Sequence, residues 1–342
     1  MNDELRFGLV GCGKISEKHA REIIKCGKLV AVCDIDASRA DNSANKYNAK
    51  AYYSFKELIE KEKNNIDIIS ICTPNGLHAE QSIEALENGF HVLCEKPLAI
   101  HSSDGQKMIE AARQNHKKLF VVKSTRFNRV TIALKNLINN NALGKIYSFQ
   151  MNCFWNRTDE YYLNDAWRGT LDLDGGVLYT QFSHYLDILS WFFGATKSVS
   201  GYRKNMAHLQ SIQFEDSGSA SIIMQNGILG GVNWSINAYQ KNIEVSLAVF
   251  AEKGTVKLGG AYLNTVEYET PENLLQLDEN IRDNQANDYG FYQGSMSNHD
   301  KIYANLIKSL KEENNYIADG IEGLKTVQFI ETIYQNSPLV ED

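Results

Sequence analysis

Apolar residues in the first third of the chain form short continuous runs that alternate with helical patterns. The runs lie at residues 5–10, 29–33, 66–72, 91–94 and 118–123. Runs of this length without polar alternation are typical of strands buried on both faces of a parallel sheet. Between them, apolar side chains recur at helical spacing, as from His78 to Asn88. The pattern therefore predicts an α/β fold, with a doubly wound Rossmann domain over residues 1–124.

Beyond residue 125, strand-like segments follow one another across short glycine or polar turns. They lie at residues 146–154, 211–214, 220–224, 231–236, 245–250 and 255–258. Consecutive strands without intervening helices predict an antiparallel sheet. Residues 125–342 are therefore predicted to form an α+β domain with an open, mainly antiparallel sheet. Because an open sheet must cover its exposed face, we expect a homodimer or homotetramer.

A glycine-rich turn follows the first predicted strand, at Gly11-Cys12-Gly13-Lys14-Ile15, and a helical pattern follows the turn. Gly11 permits a tight turn, Gly13 lets the backbone approach a pyrophosphate, and the helix N-terminus supplies oriented N–H groups. Asp34 ends the second strand, where a carboxylate can accept hydrogen bonds from the adenosine ribose. A 2′-phosphate would face Asp34 and Asp36, so the sequence favours NAD over NADP.

Another apolar run, from His91, stops at Glu95-Lys96-Pro97. Pro97 cannot continue a ladder that needs its N–H, so Lys96 is predicted at the carboxyl end of a strand. Open parallel sheets bind ligands at that edge. Beside a cationic cofactor ring, a partly buried lysine would be a strong donor with a lowered pKa. The alternative is a lysine that leaves the sheet for solvent.

In the second half, residues 175–194 are predicted to form one helix bounded by glycines. Thr180 and His184 are four residues apart, so they would share a face with Gln181 and Asp187. This face is polar while the rest of the helix is apolar. Polar groups in such a setting need partners, which a ligand cavity would supply. The alternative is a histidine satisfied by Asp187 or Thr180 inside a buried helix.

The loop before this helix, residues 155–169, is rich in arginine, tyrosine and tryptophan. Arginine forks and tyrosine hydroxyls suit carboxylates, phosphates and sugar hydroxyls. Arg157, Arg168 and Tyr161 are therefore candidates for holding substrate anions. The same residue types also collect at subunit interfaces, which is the alternative for this loop.

Charge and composition exclude several classes of partner. The 342 residues carry a formal net charge of −7, which argues against nucleic acid or an anionic membrane surface as the partner. Because the first six residues are mainly polar and the apolar run at residues 7–10 is short, we expect no leader peptide, and the apolar runs are too short to predict a membrane span. The six cysteines include no CxxC pair, so we expect free thiols in a reducing cytoplasm and predict no metal site.

Together these residues resemble the glucose–fructose oxidoreductase / inositol dehydrogenase / MocA (Gfo/Idh/MocA) family. The matching motifs are Gly11 to Ile15, Asp34, Cys72-Thr73-Pro74-Asn75 with His78, Glu95-Lys96-Pro97, Trp167-Arg168, and Gly175-Gly176 through His184 to Asp187. The resemblance implies an NAD(P)-dependent oxidoreductase acting on a sugar or cyclitol hydroxyl, with Lys96 and His184 as catalytic residues at the reacting carbon. The cofactor contacts expected are Gly11, Cys12, Gly13, Lys14, Ile15, Asp34, Ile35, Thr73, Pro74, Asn75, His78, Glu95, Lys96, Trp167 and Arg168.

One position departs from the family pattern. Many members carry an aspartate four residues before the histidine, and Thr180 occupies that place here. His184 would then be oriented by another group or act through solvent. Either His184 takes the hydroxyl proton while Lys96 stabilises the alkoxide, or Lys96 is itself the base.

This departure and the aromatic loop look most like the branch that oxidises UDP-N-acetylglucosaminuronic acid at its 3-hydroxyl in surface-polysaccharide synthesis. The substrate, an anionic nucleotide sugar, would contact Lys96, Arg157, Tyr161, Arg168, Thr180, Gln181 and His184. Two alternatives are a dehydrogenase or reductase of a neutral sugar or inositol, and a non-catalytic NAD-binding scaffold or sensor.

Overall fold

A computed structural model describes residues 4–281, 284–290, 292–311 and 318–340 of the protein. The chain forms two compact units, the first comprising Met1–Val122 and His299–Val327, the second Lys123–Asn298 and Gln328–Asp342. The grouping of His299–Val327 with the first unit differs from the sequence division, which assigned every residue after 124 to the second domain. The reason is apolar packing, because Ile302 and Tyr303 are buried and the Tyr303 ring lies 5.9 Å from the Phe7 ring.

The first unit is built on a six-stranded parallel sheet in the order β3-β2-β1-β4-β5-β6. The strands are β1 Arg6–Val10, β2 Lys28–Cys33, β3 Lys50–Tyr52, β4 Ile68–Ile71, β5 His91–Cys94 and β6 Leu119–Val121. The helices are α1 Ser16–Cys26, α2 Ala37–Tyr47, α3 Phe55–Glu62, α4 His78–Glu87, α5 Ser102–Gln114, α10 His299–Lys311 and the start of α11 Gly320–Gln335. This strand order is that of the Rossmann fold, so the predicted doubly wound domain is confirmed.

The strand order reverses between β1 and β4, which are neighbours in the sheet. Ligands of open α/β sheets bind outside the carboxyl ends of the strands at such a switch point. The glycine turn after β1 and the segment after β4 both begin at this edge. The neighbouring strand β5 ends there as well, directly before Glu95 and Lys96.

The second unit contains a seven-stranded sheet in the order β13-β12-β11-β7-β10-β9-β8. Its strands are β7 Ile146–Phe154, β8 Thr196–Lys204, β9 Ser217–Met224, β10 Leu229–Ser235, β11 Glu244–Ala251, β12 Gly254–Gly259 and β13 Thr265–Thr270. The pair β7 and β10 is parallel and the other neighbours are antiparallel, which confirms the predicted mainly antiparallel sheet. The segment 211–214, predicted as a strand, is a turn instead.

Four helices and a hairpin complete the second unit. They are α6 Arg129–Asn139, α7 Asp159–Leu163, α8 Val177–Thr180, α9 Ser183–Phe193 and the strands β14 Ala286–Asp288 and β15 Gln293–Met296. The helix α9 is buried along most of its length, because Leu186, Ile188 and Leu189 are fully covered.

Aromatic rings lie over glycines on the inner face of the second sheet. Phe149 on β7 pairs with Gly230 on β10, and its ring stacks 4.8 Å from the Phe193 ring of α9. A Cβ atom at Gly230 would lie 2.0 Å from the Phe149 ring. Trp234 lies over Gly218 in the same way, and a Cβ atom at Gly218 would lie 2.2 Å from its ring. The absence of a side chain at these positions therefore makes room for the aromatic core.

No helix in the described ranges combines the length and the apolarity that crossing a membrane requires.

We predict that Gly230→Ala lowers the free energy of unfolding by about 1–3 kcal/mol, because the fully buried Phe149 ring must shift against Phe193. The midpoint of urea unfolding, at an unchanged slope, measures this loss. Gln225→Ala, at an exposed position in the turn after β9, is the control and should leave the midpoint unchanged. A Gly230→Ala midpoint equal to that of Gln225→Ala would contradict the packing described.

Candidate functional site

The glycine turn after β1 has the backbone geometry of a nucleotide-binding loop. Gly11 has a φ of +88°, and a Cβ atom there would lie 2.7 Å from the Cys72 backbone, so only glycine fits. A Cβ atom at Gly13, in contrast, would meet no atom of the described chain within 4 Å. This open space beside the first turn of α1 suits a group that approaches the backbone as closely as a pyrophosphate does.

Asp34 closes the same loop from the end of β2. Its carboxylate accepts hydrogen bonds from the Cys12 N–H at 2.7 Å and from the Asp36 N–H at 2.9 Å. The next residue, Ile35, has 94% of its surface exposed, which is unusual for a large apolar side chain beside a sheet edge. Lys14 is exposed and Ile15 is half-buried at the start of α1. These residues fit an adenosine, with ribose hydroxyls at Asp34 and an apolar surface at Ile35.

His78 ties together two strand ends of the first unit. Its Nδ1 lies 2.7 Å from the Pro97 carbonyl oxygen and its Nε2 lies 2.9 Å from the Thr73 carbonyl oxygen. Burial lowers the pKa of His78, so the ring is neutral and donates one hydrogen bond at a time. The Thr73 hydroxyl donates to Gln81. The imidazole predicted to contact the cofactor therefore braces the loops after β4 and β5.

Glu95 is also held inside the first unit. Its Oε1 lies 2.9 Å from His19 Nε2 and 3.3 Å from His299 Nε2, and its Oε2 accepts from the Lys96 N–H at 3.0 Å. The carboxylate predicted as a cofactor contact is thus bound to protein groups. Lys96 itself is half-buried at the end of β5, and its peptide bond to Pro97 is cis.

The helix predicted over residues 175–194 is wrong in one respect, because it is interrupted. Helix α8 ends at Thr180 and α9 begins at Ser183, with Gln181 and Phe182 between them. The Tyr185 N–H bonds to the Phe182 carbonyl and restarts the helix there. Residues four apart share a face only within one continuous helix. Because Thr180 lies on α8 and His184 on α9, their spacing does not place the two side chains on one face.

Thr180 bonds to a carboxylate that sequence reasoning missed. Its hydroxyl donates a short hydrogen bond to Asp174, which also accepts from the Gly169 N–H at 2.9 Å. Asp174 is fully buried, and burial raises its pKa to about 6. A carboxylate therefore lies one hydrogen bond behind the position where many family members carry an aspartate.

Three residues predicted to contact substrate instead hold one another. The Gln181 side-chain oxygen accepts from Arg157 Nε at 2.8 Å, and its amide donates to the Tyr161 hydroxyl at 2.9 Å. All three side chains are at most 4% exposed. The other Arg157 nitrogens donate to Asn156, Asn242 and Gln293. All three nitrogens of the guanidinium therefore donate to protein acceptors, which places Arg157 inside the hydrogen-bond network of the second unit itself.

Arg168 is the arginine of this loop that keeps a donor for a ligand. Its guanidinium stacks 3.9 Å from the Tyr161 ring centre and 5.0 Å from the Trp167 ring centre. Nε donates to Asp165 and Nη2 donates to Tyr292. Among the residues that the structure describes, none accepts a hydrogen bond from the buried Nη1. The predicted anion contact is therefore compatible with Arg168.

Asp187 and His184 lie on the buried helix α9. Asp187 accepts two hydrogen bonds from Arg126, at 2.7 and 2.8 Å, and pairs with Lys123 at 3.0 Å. Burial alone would raise the pKa of Asp187, but the two cations hold it well below its usual range. Asp187 therefore anchors the helix that carries His184, which is 5% exposed.

Sequence reasoning missed the partners of these groups because they are distant along the chain. His299 lies 204 residues after Glu95, and His19 lies on a helix whose pattern marks it only as an inward position. Asp174 precedes the Gly175-Gly176 pair directly, yet an aspartate before glycines is also typical of ordinary turns.

Comparisons with known proteins agree with this geometry. The model of the oxidoreductase family with an NAD-binding Rossmann fold, GFO_IDH_MocA, matches residues 5–123, and the GFO/IDH/MocA C-terminal domain matches residues 131–257. An inositol 2-dehydrogenase from Salmonella typhimurium is 27% identical over 267 residues, covering 74% of each chain.

Two solved structures are more similar over the whole chain. The WlbA dehydrogenase from Chromobacterium violaceum, in complex with NADH and UDP-GlcNAcA, is 36% identical with a TM-score of 0.87, and the match covers 98% of this chain and 95% of that one. The WlbA dehydrogenase from Bordetella pertussis, in complex with the same two ligands, is 33% identical with a TM-score of 0.88, covering 98% and 96%.

The predicted family and the predicted cofactor are thus both confirmed. The chain belongs to the GFO/IDH/MocA oxidoreductase family and is an NAD-dependent dehydrogenase acting on CH–OH groups.

Proposed function

We propose that the protein oxidises the 3-hydroxyl of a UDP-linked N-acetylhexuronic acid, UDP-N-acetylglucosaminuronic acid, as a step in surface-polysaccharide synthesis. The observation that carries this proposal is the 36% identity over 98% of the chain to a dehydrogenase whose structure contains NADH and UDP-GlcNAcA. The inositol 2-dehydrogenase from Salmonella typhimurium is less similar, at 27% over 74% of the chain.

An anionic substrate agrees with the environment of Arg168. Its Nη1 has no acceptor in the described part of the chain, and the rings of Tyr161 and Trp167 hold the guanidinium in place. A carboxylate or phosphate oxygen would satisfy this donor with a charge-assisted hydrogen bond. A neutral polyol would satisfy it less strongly, because its oxygen carries no charge.

Lys96 and His184 are proposed to act on the same substrate hydroxyl. When bound, NAD supplies a hydride acceptor at C4 of its nicotinamide ring. One of the two side chains takes the hydroxyl proton while the C–H bond breaks and the C=O bond forms. The other donates a hydrogen bond to the oxygen and stabilises the negative charge that develops on it.

Contacts to NAD are proposed for the glycine loop, Asp34 and Ile35, together with Thr73, Pro74, Asn75, Trp167 and Arg168. The Asp34 carboxylate would accept from the ribose hydroxyls in addition to the two loop N–H groups. The α1 N-terminus would face the pyrophosphate beside Gly13. The pyrophosphate would need open space beside Gly13, and a Cβ atom at Gly13 would meet no described atom within 4 Å.

The outward face of the second sheet is proposed as the contact of a homodimer or homotetramer. Ile223, Leu229 and Phe250 are neighbours across this face, with Ser148 between the last two. They are 40%, 56% and 42% exposed. Exposed apolar neighbours on a flat sheet are typical of a surface that another subunit covers.

We predict reduction of NAD when the protein is mixed with UDP-N-acetylglucosaminuronic acid, and no reduction with UDP-N-acetylglucosamine or inositol. Single-turnover absorbance of the reduced nicotinamide measures this, after removal of any NADH that co-purifies. Arg168→Gln should raise KM for the uronic acid about 10- to 100-fold, since a hydrogen bond to a charge is lost. Arg113→Gln, an exposed arginine on α5, is the matched control and should not change KM. Reduction with inositol alone would instead favour the inositol dehydrogenase function.

We predict that Lys96→Met and His184→Asn each lower kcat about 10²- to 10⁴-fold, because proton transfer and alkoxide stabilisation are impaired. NADH affinity, measured by fluorescence titration, should remain sufficient to saturate both variants. If both variants turn over at the wild-type rate with cofactor bound, the assignment of these residues fails. Retained NAD binding with no turnover of any sugar by the wild type would favour the non-catalytic alternative.

We predict that light scattering of the wild type gives the mass of a dimer or tetramer, and that Leu229→Lys shifts it toward the monomer by placing a charge on the proposed contact. Leu209→Lys is the matched control, because Leu209 is 68% exposed on a loop outside the sheet. A monomeric wild type, or an equal effect of both substitutions, would contradict the proposed contact surface.

A further inference from the structure

We infer that Glu95, together with His19 and His299, is a positioning residue for Lys96 and not a ligand of the cofactor. The inference rests on the proposed function in assigning the chemistry to Lys96. It concerns a buried cluster in the first unit that brings together the end of β5, α1 and α10.

Both oxygens of Glu95 are occupied by protein donors. Oε1 faces His19 Nε2 at 2.9 Å and His299 Nε2 at 3.3 Å, and Oε2 accepts from the Lys96 N–H at 3.0 Å. The glutamate is 6% exposed and His19 is fully buried. Three donors thus use three of the roughly four lone-pair sites of a carboxylate, which leaves at most one for a ribose hydroxyl.

The direction of each hydrogen bond follows from the chemistry of the partners. Burial lowers the pKa of His19 and so favours the neutral ring. Because Glu95 only accepts, the neutral ring carries its proton on Nε2, and its Nδ1 accepts. The donor to Nδ1 is the Tyr303 hydroxyl at 2.8 Å, and that hydroxyl in turn accepts from the Ser70 hydroxyl at 3.0 Å. A directed chain therefore runs from Ser70 on β4 through Tyr303 on α10 and His19 on α1 to Glu95.

The charges in the cluster are consistent with this direction. Burial alone would raise the pKa of Glu95, but the hydrogen bonds from His19 and His299 hold it well below its usual range. Burial lowers the pKa of His19. The cluster is thus a buried carboxylate solvated by imidazole N–H groups and one backbone N–H.

The consequence for Lys96 is that the backbone is held on both sides of it. Its own N–H is bonded to Glu95, and the carbonyl oxygen of the following Pro97 lies 2.7 Å from His78 Nδ1. A catalytic group whose position shifts by 1 Å can lose about 10²-fold in rate. The network therefore acts on the position from which the Lys96 side chain reaches the substrate.

The test compares Glu95→Gln with Glu62→Gln, because Glu62 is another buried carboxylate of the same unit and bonds Lys50, Tyr52 and Asn65 instead. For Glu95→Gln we expect kcat to fall about 10- to 100-fold while the Kd for NADH stays at its wild-type value. Tyr303→Phe, which removes only the hydroxyl of the chain, should lower kcat by a smaller factor. Glu62→Gln should lower thermal stability without changing kcat.

A second readout needs no substrate. In the NADH-bound protein, the rate at which acetic anhydride modifies Lys96, followed by peptide mass mapping, should rise several-fold in Glu95→Gln. The exposed Lys107 on α5 is the internal standard and should react at its wild-type rate. Loss of the neighbouring negative charge favours the neutral, reactive amine, and loss of the hydrogen bond to the backbone loosens its position.

Three outcomes would overturn the inference. A higher Kd for NADH in Glu95→Gln, with kcat restored at saturating NAD, would make Glu95 a cofactor ligand. If Glu95→Gln matched Glu62→Gln both in the rate of Lys96 modification and in kcat, Glu95 would have only a structural role. A stoichiometric divalent metal in the purified protein would mean that the His19, Glu95 and His299 atoms, which lie within 4.8 Å of one another, are metal ligands. Turnover that survives Lys96→Met would instead refute the proposed function, and the modification rates would still report on positioning.

Discussion

The buried carboxylate of Glu95 is the constraint around which the end of β5 is organised. A carboxylate removed from water stays ionised only where protein donors replace its hydration, since an unpaired buried charge is strongly unfavourable. Here His19, His299 and the Lys96 N–H supply those donors. One of them comes from α10, which lies 204 residues further along the chain. The segment His299–Val327 belongs to the first unit, and its first residue, His299, bonds to the same Glu95 carboxylate that accepts from the Lys96 N–H.

The second unit also contains a buried charge that is surrounded by protein hydrogen-bond partners, but this charge is positive. Arg157 is buried, and burial lowers its pKa to about 10. Acceptors on Gln181, Asn242 and the backbone surround it, and the Trp155 ring lies 4.8 Å from its guanidinium. Asp187 is paired with Arg126 and Lys123 in turn. The polar stripe on the apolar helix, which suggested a ligand cavity, is therefore satisfied largely by the protein itself.

The sequence predicted what depends on local pattern and could not predict what depends on distant partners. Continuous apolar runs marked the parallel strands, and the turn from Gly11 to Asp34 marked the nucleotide loop, because those features lie within one βαβ unit. The sequence pattern did not indicate the break between α8 and α9, because the apolar residues keep near-helical spacing across Gln181 and Phe182. Nor could residue type distinguish Arg157 from Arg168, because both lie in one aromatic loop. Only the surrounding acceptors show that each guanidinium nitrogen of Arg157 donates to the protein, whereas Nη1 of Arg168 has no acceptor among the described residues.

Thr180 shows how a local departure can be compensated at a distance. The residue lacks the carboxylate that many family members carry at this place, yet its hydroxyl donates to Asp174, six residues earlier. The hydroxyl at this position therefore lies directly against a carboxylate. That charge is buried, with a pKa raised to about 6, and is tied to the Gly169 N–H beside Arg168. The carboxylate is therefore held by the segment that joins the aromatic loop to α8, one hydrogen bond away from the position where many family members carry it.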